Sequence, residues 1–136
     1  LDEDLRDILE TAHTIAVVGL SSSPGKESYR VAAYLKHAGY RLIPVNPSAQ
    51  EILGERSYPN LEAIPEPVDV VQIFRPSEQV GPIVEQAVRI GAGAVWMQLG
   101  IINESAADIA HDAGLKVVMN RCMKVEHRRM IAGLVR

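Results

Sequence analysis

The chain has 136 residues, 47% of them apolar and 23% charged, which fits one globular domain over residues 1–136 and excludes a disordered or fibrous chain. Its formal net charge of −3 lacks the basic excess that nucleic-acid phosphates demand. A single cysteine, Cys122, rules out a disulfide framework and a cysteine-based zinc site, and no apolar run approaches the ~20 residues of a membrane span.

In chain order, the acidic opening Leu1-Asp2-Glu3-Asp4 is unlike a targeting leader, so a cytoplasmic setting is expected. A helix is predicted over 2–12, a strand over 14–20, a helix over 28–38 and a strand over 41–46. The stretch 47–67 contains Pro47, Pro59, Pro65 and Pro67, which forbid a long helix and predict short turns crossing the sheet edge. There follow a strand over 68–74, a helix over about 78–90, a strand over 93–98, a helix over 104–113, a strand over 115–120 and a helix over 124–134. The strand runs are continuous and rich in Val and Ile, as strands buried on both faces are. The helical stretches are amphipathic: Val31, Tyr34, Leu35 and Ala38 share one face, as do Ala106, Ile109, Ala110 and Ala113. Three of them close with glycine, at Gly39, Gly91 and Gly114. The fold class is therefore α/β, a three-layer, doubly wound parallel sheet of five strands in the order 3-2-1-4-5.

Such a sheet takes its ligand at the carboxyl ends of the strands, where the winding reverses. The first loop there reads Gly19-Leu20-Ser21-Ser22-Ser23-Pro24-Gly25-Lys26-Glu27-Ser28. It leads into a helix N-terminus whose free N–H groups attract phosphate, and Ser21, Ser22, Ser23 and Lys26 add hydroxyls and a positive charge. It is neither a P-loop, because five residues separate Gly19 from Gly25 and Glu27 follows Lys26, nor a dinucleotide fingerprint, because Ser21 replaces the second glycine. An ordinary Gly/Ser/Pro turn is the alternative.

The second loop, Val45-Asn46-Pro47, lacks the acid that a dinucleotide enzyme sets against its ribose hydroxyls. Asn46 can donate a hydrogen bond to a phosphate on the ribose, or simply open an Asn-Pro turn. At the third and fourth loops, Phe74-Arg75-Pro76 and Trp96-Met97-Gln98-Leu99-Gly100 mix apolar surface with a few polar groups, as a long slender ligand tail needs. Arg75 is read either as a phosphate or carbonyl partner or as a surface arginine paired with Glu78. Trp96 and Met97 are residue types that more often pack in a core or sheet than touch a ligand.

With these residues assembled, the chain resembles the stand-alone coenzyme A-binding proteins of Rossmann-like fold. It is more distantly similar to the N-terminal domain of the succinyl-CoA synthetase alpha subunit. The likeness runs from about Thr14 to His127 and rests on the loop from Gly19 to Tyr29, Pro44-Val45-Asn46-Pro47, Ile52-Leu53-Gly54 with Tyr58, Val68-Asp69 with Phe74-Arg75, Trp96-Met97-Gln98-Leu99-Gly100, and Arg121-Cys122. It implies coenzyme A or an acyl-CoA as ligand. Ser22, Ser23, Lys26 and Ser28 would hold its phosphates behind Gly19 and Ser21, Asn46-Pro47 would border the adenosine, and Phe74-Arg75 with Met97-Gln98 would flank the pantetheine. The phosphorylated histidine of the synthetase belongs to a second domain, so no ligase chemistry is carried over.

No catalytic residue and no metal are expected. His13, His37, His111 and His127 form no ligand set. Cys122, beside Arg121 and ahead of Lys124, is read as inert against the alternative of a reactive thiol, and Glu126-His127 as a surface pair on divergent helix positions. Residues 1–10 carry five acids against Arg6, while 116–136 carry Lys116, Arg121, Lys124, Arg128, Arg129 and Arg136 against Glu126, predicting two complementary helices side by side. A coenzyme A-binding protein is the leading reading. The alternatives are a nicotinamide-dependent reductase on the same fold and a subunit that completes an acyl-CoA ligase in trans.

Overall fold

The computed structural model describes residues 2–132. In chain order its helices and strands are α1 (Asp2–Thr11), β1 (Thr14–Val18), α2 (Glu27–His37), β2 (Arg41–Val45), β3 (Glu51–Ile52), β4 (Glu55–Arg56), β5 (Val70–Ile73), α3 (Val80–Arg89), β6 (Ala94–Met97), α4 (Glu104–Asp112), β7 (Lys116–Val118) and α5 (Met123–Met130). Short 3-10 turns at Leu61–Ala63 and Ser77–Gln79 complete the path. The expected end of the last helix at 134, and the Arg136 charge, lie outside the described residues.

The sheet is parallel and five-stranded, in the order β2-β1-β5-β6-β7. Side chains alternate between two cores. Ile15, Val17, Leu42, Val70, Ala94, Trp96 and Val118 pack with α1, α2 and α5. Ala16, Val18, Val45, Val71, Ile73, Val95 and Met97 pack with α3 and α4. Burial on both faces is why the strands read as unbroken apolar runs.

The doubly wound sheet is the one expected, with one change in how its strands are counted. The run expected as the third strand, at the outer edge, is β5, and it pairs with β1 on the inner side. The outer edge of β2 is taken instead by a single parallel bridge between Val45 and Tyr58. There Tyr58 donates to Pro44 O at 3.1 Å, and Asn46 N donates to Tyr58 O at 2.9 Å. With that bridge as a rudimentary edge strand, the 3-2-1-4-5 winding holds around β1 and one strand follows it. Prolines at 59, 65 and 67 explain why the edge strand is so short: each removes a donor that a ladder needs.

The crossing segment also holds the hairpin β3–β4, fastened by ion pairs of Glu55 with Lys36 (3.1 Å) and Arg41 (2.6 Å), and of Glu66 with Arg41 (3.0 Å). Burial pushes the Glu55 carboxyl up, but hydrogen bonds from Lys36 and Arg41 outweigh it and hold it below its ordinary value. The acidic and basic ends meet as predicted, with Arg129 reaching Asp2 at 3.3 Å and Arg6 donating to Met130 O at 3.2 Å. Among the described residues no helix is long and apolar enough to cross a membrane.

Candidate functional site

The loop after β1 enters α2 on one face of the sheet, and the loop after β5 enters α3 on the other, so a crevice opens where they part. Gly19 sits at the crossing with φ +86°, beside the Phe74 carbonyl. Around it the loops are cross-tied: Gly19 N donates to Val45 O at 3.1 Å and Phe74 N to Val18 O at 2.9 Å.

Two cavities flank this crossing. On the β2 side lies a cleft of about 480 Å³, walled by Gly19, Leu20, Ser21, Asn46, Pro47, Ser48, Pro59, Arg75 and Ile83. On the other side a groove of about 270 Å³ is lined by Glu27, Phe74, Gln98, Leu99, Ile101 and Cys122. The adjacent residues Phe74 and Arg75 belong one to each, so the two cavities lie on either side of a single peptide unit.

The serine loop is braced from inside. Ser28 is buried, and its Oγ accepts from Ser21 N at 3.0 Å, while Ser21 Oγ accepts from Ser23 N at 3.0 Å. Ser22, Ser23 and Lys26 are exposed on the loop and line neither cavity. Lys26 holds the N-cap position of α2 in an extended conformation without a side-chain capping bond, so the first amides of that helix have no side-chain acceptor. Hydroxyls that accept locally still carry a hydrogen to donate. The loop is thus cross-braced through Ser21 and Ser28, exposed at Ser22, Ser23 and Lys26, and supplied with donors.

Other expected residues divide sharply. Asn46 is partly committed: its Nδ2 donates to Leu20 O at 3.0 Å and its Oδ1 accepts from Ser48 N at 2.8 Å. One amide hydrogen remains for the cleft. Arg75 is exposed, and its guanidinium is held by Gln79 Oε1 at 2.6 and 3.0 Å, not by Glu78. Met97 is fully buried in the core against α3 and α4. The sheet's alternation turns it away from the mouth, whereas its neighbour Gln98 opens on the groove. Trp96 is equally buried and donates to Arg121 O at 2.8 Å, which ties β6 to the turn before Cys122.

Pro59 and Ile83 were beyond sequence reasoning, because the Val45–Tyr58 bridge and α3 bring them to the cleft. Cys122 and Leu99 stand in the groove with only their place after a strand to mark them. Glu126 and His127 are both buried, contrary to a surface pair. Glu126 pairs with Arg129 at 2.7 Å, and His127 Nδ1 lies 2.8 Å from the Tyr34 hydroxyl with the Tyr34 and Tyr40 rings edge-on to it. Burial lowers the His127 pKa and pushes Tyr40 up to about 12. Among the described residues no three His, Cys, Asp or Glu side chains gather as a metal site.

A braced Gly/Ser loop at a helix start, set beside a cleft at the winding reversal, defines a Rossmann-like α/β ligand-binding domain. The family model for the CoA binding domain matches residues 13–128, and the chain belongs to that family. It is similar to the uncharacterized protein YneT of Bacillus subtilis, at 39% identity over 91% of this chain and 92% of that one. A hypothetical protein from Pyrococcus horikoshii has the same fold, with a TM-score of 0.93 at 41% identity, covering 96% of this chain and 92% of that chain. The acetate–CoA ligase [ADP-forming] II of Archaeoglobus fulgidus is 34% identical over 74% of this chain, which spans 15% of that ligase.

Proposed function

We propose that the protein binds coenzyme A, with the nucleotide in the cleft beside Asn46 and Pro47 and the pantetheine passing over Phe74 and Arg75 into the groove. The observation that carries this is the placement of two neighbouring cavities on either side of the Gly19–Phe74 crossing, one bordered by Ser21, Asn46 and Ser48 and one mainly apolar. Coenzyme A has that same division into an anionic nucleotide and a slender tail. In this reading the exposed Ser22, Ser23 and Lys26, with the free amides of α2 and the braced Ser21 and Ser28, hold the diphosphate as hydrogen-bond donors and a point charge. Gly19 contributes by its lack of a side chain. The remaining hydrogen of Asn46 Nδ2 faces the adenosine end, and Gln98 faces the tail. Met97 acts from the core, as packing. The whole chain is proposed to act as one such binding domain, cytoplasmic, without catalytic groups of its own.

The test is calorimetric titration of the purified protein with CoA, its 3′-dephospho form, NAD and NADP, with native mass spectrometry of unsupplemented protein beside it. Binding of CoA in preference to both nicotinamide cofactors, and a mass increment of one CoA, is the expected result. Tighter binding of NADP would instead favour a reductase.

The similarity to the ADP-forming ligase favours a second reading, in which the domain completes an acyl-CoA ligase in trans. Co-purification with a chain carrying a ligase catalytic domain would support it.

A further inference from the structure

We infer that His127 is the pin of a proton-operated latch on α5. With the ring neutral, α5 lies closed against α1 and α2; proton uptake by the ring releases α5 and, with it, the wall of the groove at Cys122. The latch is a property of the fold and holds whatever ligand the protein binds.

The first observation is how α5 is held. At its start Met123 N donates to Gln98 Oε1 at 2.8 Å, and at its end Arg6 donates to Met130 O at 3.2 Å while Arg129 reaches Asp2 at 3.3 Å. Between these ends stands His127, 7% exposed, with Nδ1 2.8 Å from the Tyr34 hydroxyl of α2. The rings of Tyr34 and Tyr40 meet it edge-on, at 5.4 and 5.6 Å between centroids. Tyr40 is anchored in turn, its hydroxyl donating to Leu9 O of α1 at 2.5 Å. One imidazole thus joins α5 to both neighbouring helices. Cys122 is the N-cap of α5 and also part of the groove wall, so movement of the helix reaches the groove.

The second observation is the charge around that imidazole. On α5 itself, Lys124 stands 5.6 Å from the centre of the Tyr34 ring, and Arg128 acts on the Tyr34 hydroxyl as a positive charge. The carboxylate beside His127, Glu126, is taken by Arg129 at 2.7 Å and Arg121 at 3.8 Å. From α1 come Arg6 and Asp2, the latter spent on Arg129. On α2, Glu27 and Arg30 pair with each other at 3.2 Å. Tyr40 is a neutral phenol pushed up to about 12. Among the described residues no carboxylate pairs with His127. A neutral ring accepts the Tyr34 hydrogen at Nδ1 and is satisfied. A protonated ring must donate there instead, and its charge stays buried beside cations without a counter-ion. Burial already holds the pKa of the closed ring below its ordinary value. Exposing the ring to water lifts that penalty, so proton uptake and release of α5 are linked.

The experiment is amide hydrogen exchange of the full chain across pH 5–8, read by peptide mass spectrometry and corrected for the intrinsic pH dependence of exchange. At every pH, α5 amides should exchange through a smaller opening than those of β5 and β6, which wait for global unfolding. Protection of α5 should hold constant above about pH 6.5. Below it, protection should fall by up to about ten-fold per pH unit until the pKa of the closed ring is reached. His127→Gln, which leaves Tyr34 a hydrogen-bond partner but no titrating ring, should abolish the fall. Equal protection of α5 and the two strands overturns the inference, as does α5 protection indifferent to pH or a fall that persists in His127→Gln. Should that variant not fold, NMR titration of the His127 imidazole in the native protein decides. A midpoint well below about 6.5 supports the latch, and one at or above it overturns the latch.

Discussion

A methyl group placed on Gly19 would stand 2.8 Å from the carbonyl oxygen of Phe74 and 2.9 Å from Cδ of Arg75. The loops after β1 and β5 thus meet through a position without a side chain, and this contact stands between the cleft beside Asn46 and the apolar groove. Two penalties coincide there, a φ of +86° and a clash with backbone that cannot swing aside. Gly19→Ala should destabilise the fold by about 1–3 kcal/mol and weaken CoA binding as well. An unchanged urea midpoint would show that the loops separate freely.

Lys26 is the exposed cation at the entrance to α2. Lys26→Ala should cost about 1–3 kcal/mol in CoA binding through loss of a charge-assisted contact, with thermal stability unaltered. Calorimetry at two salt concentrations checks both the magnitude and the electrostatic origin, because the wild-type affinity should fall more steeply with salt than that of the variant.

His127 predicts an acid-side loss of stability. Burial lowers its pKa in the folded state, so just below the ordinary value of about 6.5 the unfolded chain binds a proton that the native chain refuses. Stability is then complete above about pH 6.5 and declines as pH falls from there toward the folded pKa. Denaturant midpoints across pH 5–8 measure this, and His127→Phe should flatten the slope. Glu55 and Glu66, both held below their ordinary values, add a separate loss only as pH falls below about 4.5. A flat profile from pH 7 to 5 in the native protein would contradict the assignment.

Trp96 joins the core to the mouth. Trp96→Phe removes the donor to Arg121 O and leaves space in the layer beneath α5, at a combined cost of about 2–4 kcal/mol. Because Arg121 precedes Cys122, the same variant should also loosen tail binding in the groove. An unfolding curve and a CoA titration of the one variant separate the two effects.

The helices, the buried strands, the Gly/Ser loop at the start of α2 and the pairing of an acidic with a basic helix were all legible along the chain. These follow from local periodicity and charge, which neighbours along the chain express without help. Its resemblance also pointed to the family. What lay outside its reach were relations between distant segments. The Val45–Tyr58 bridge took the sheet edge because prolines left the crossing segment too few donors for a full strand. Asn46 was half spent on Leu20 and Ser48, and Met97 and Gln98, adjacent in sequence, were sent to opposite destinations. These points were settled by folding. Whether a polar atom is free depends on every other donor and acceptor within hydrogen-bond reach, and that set is assembled by the fold.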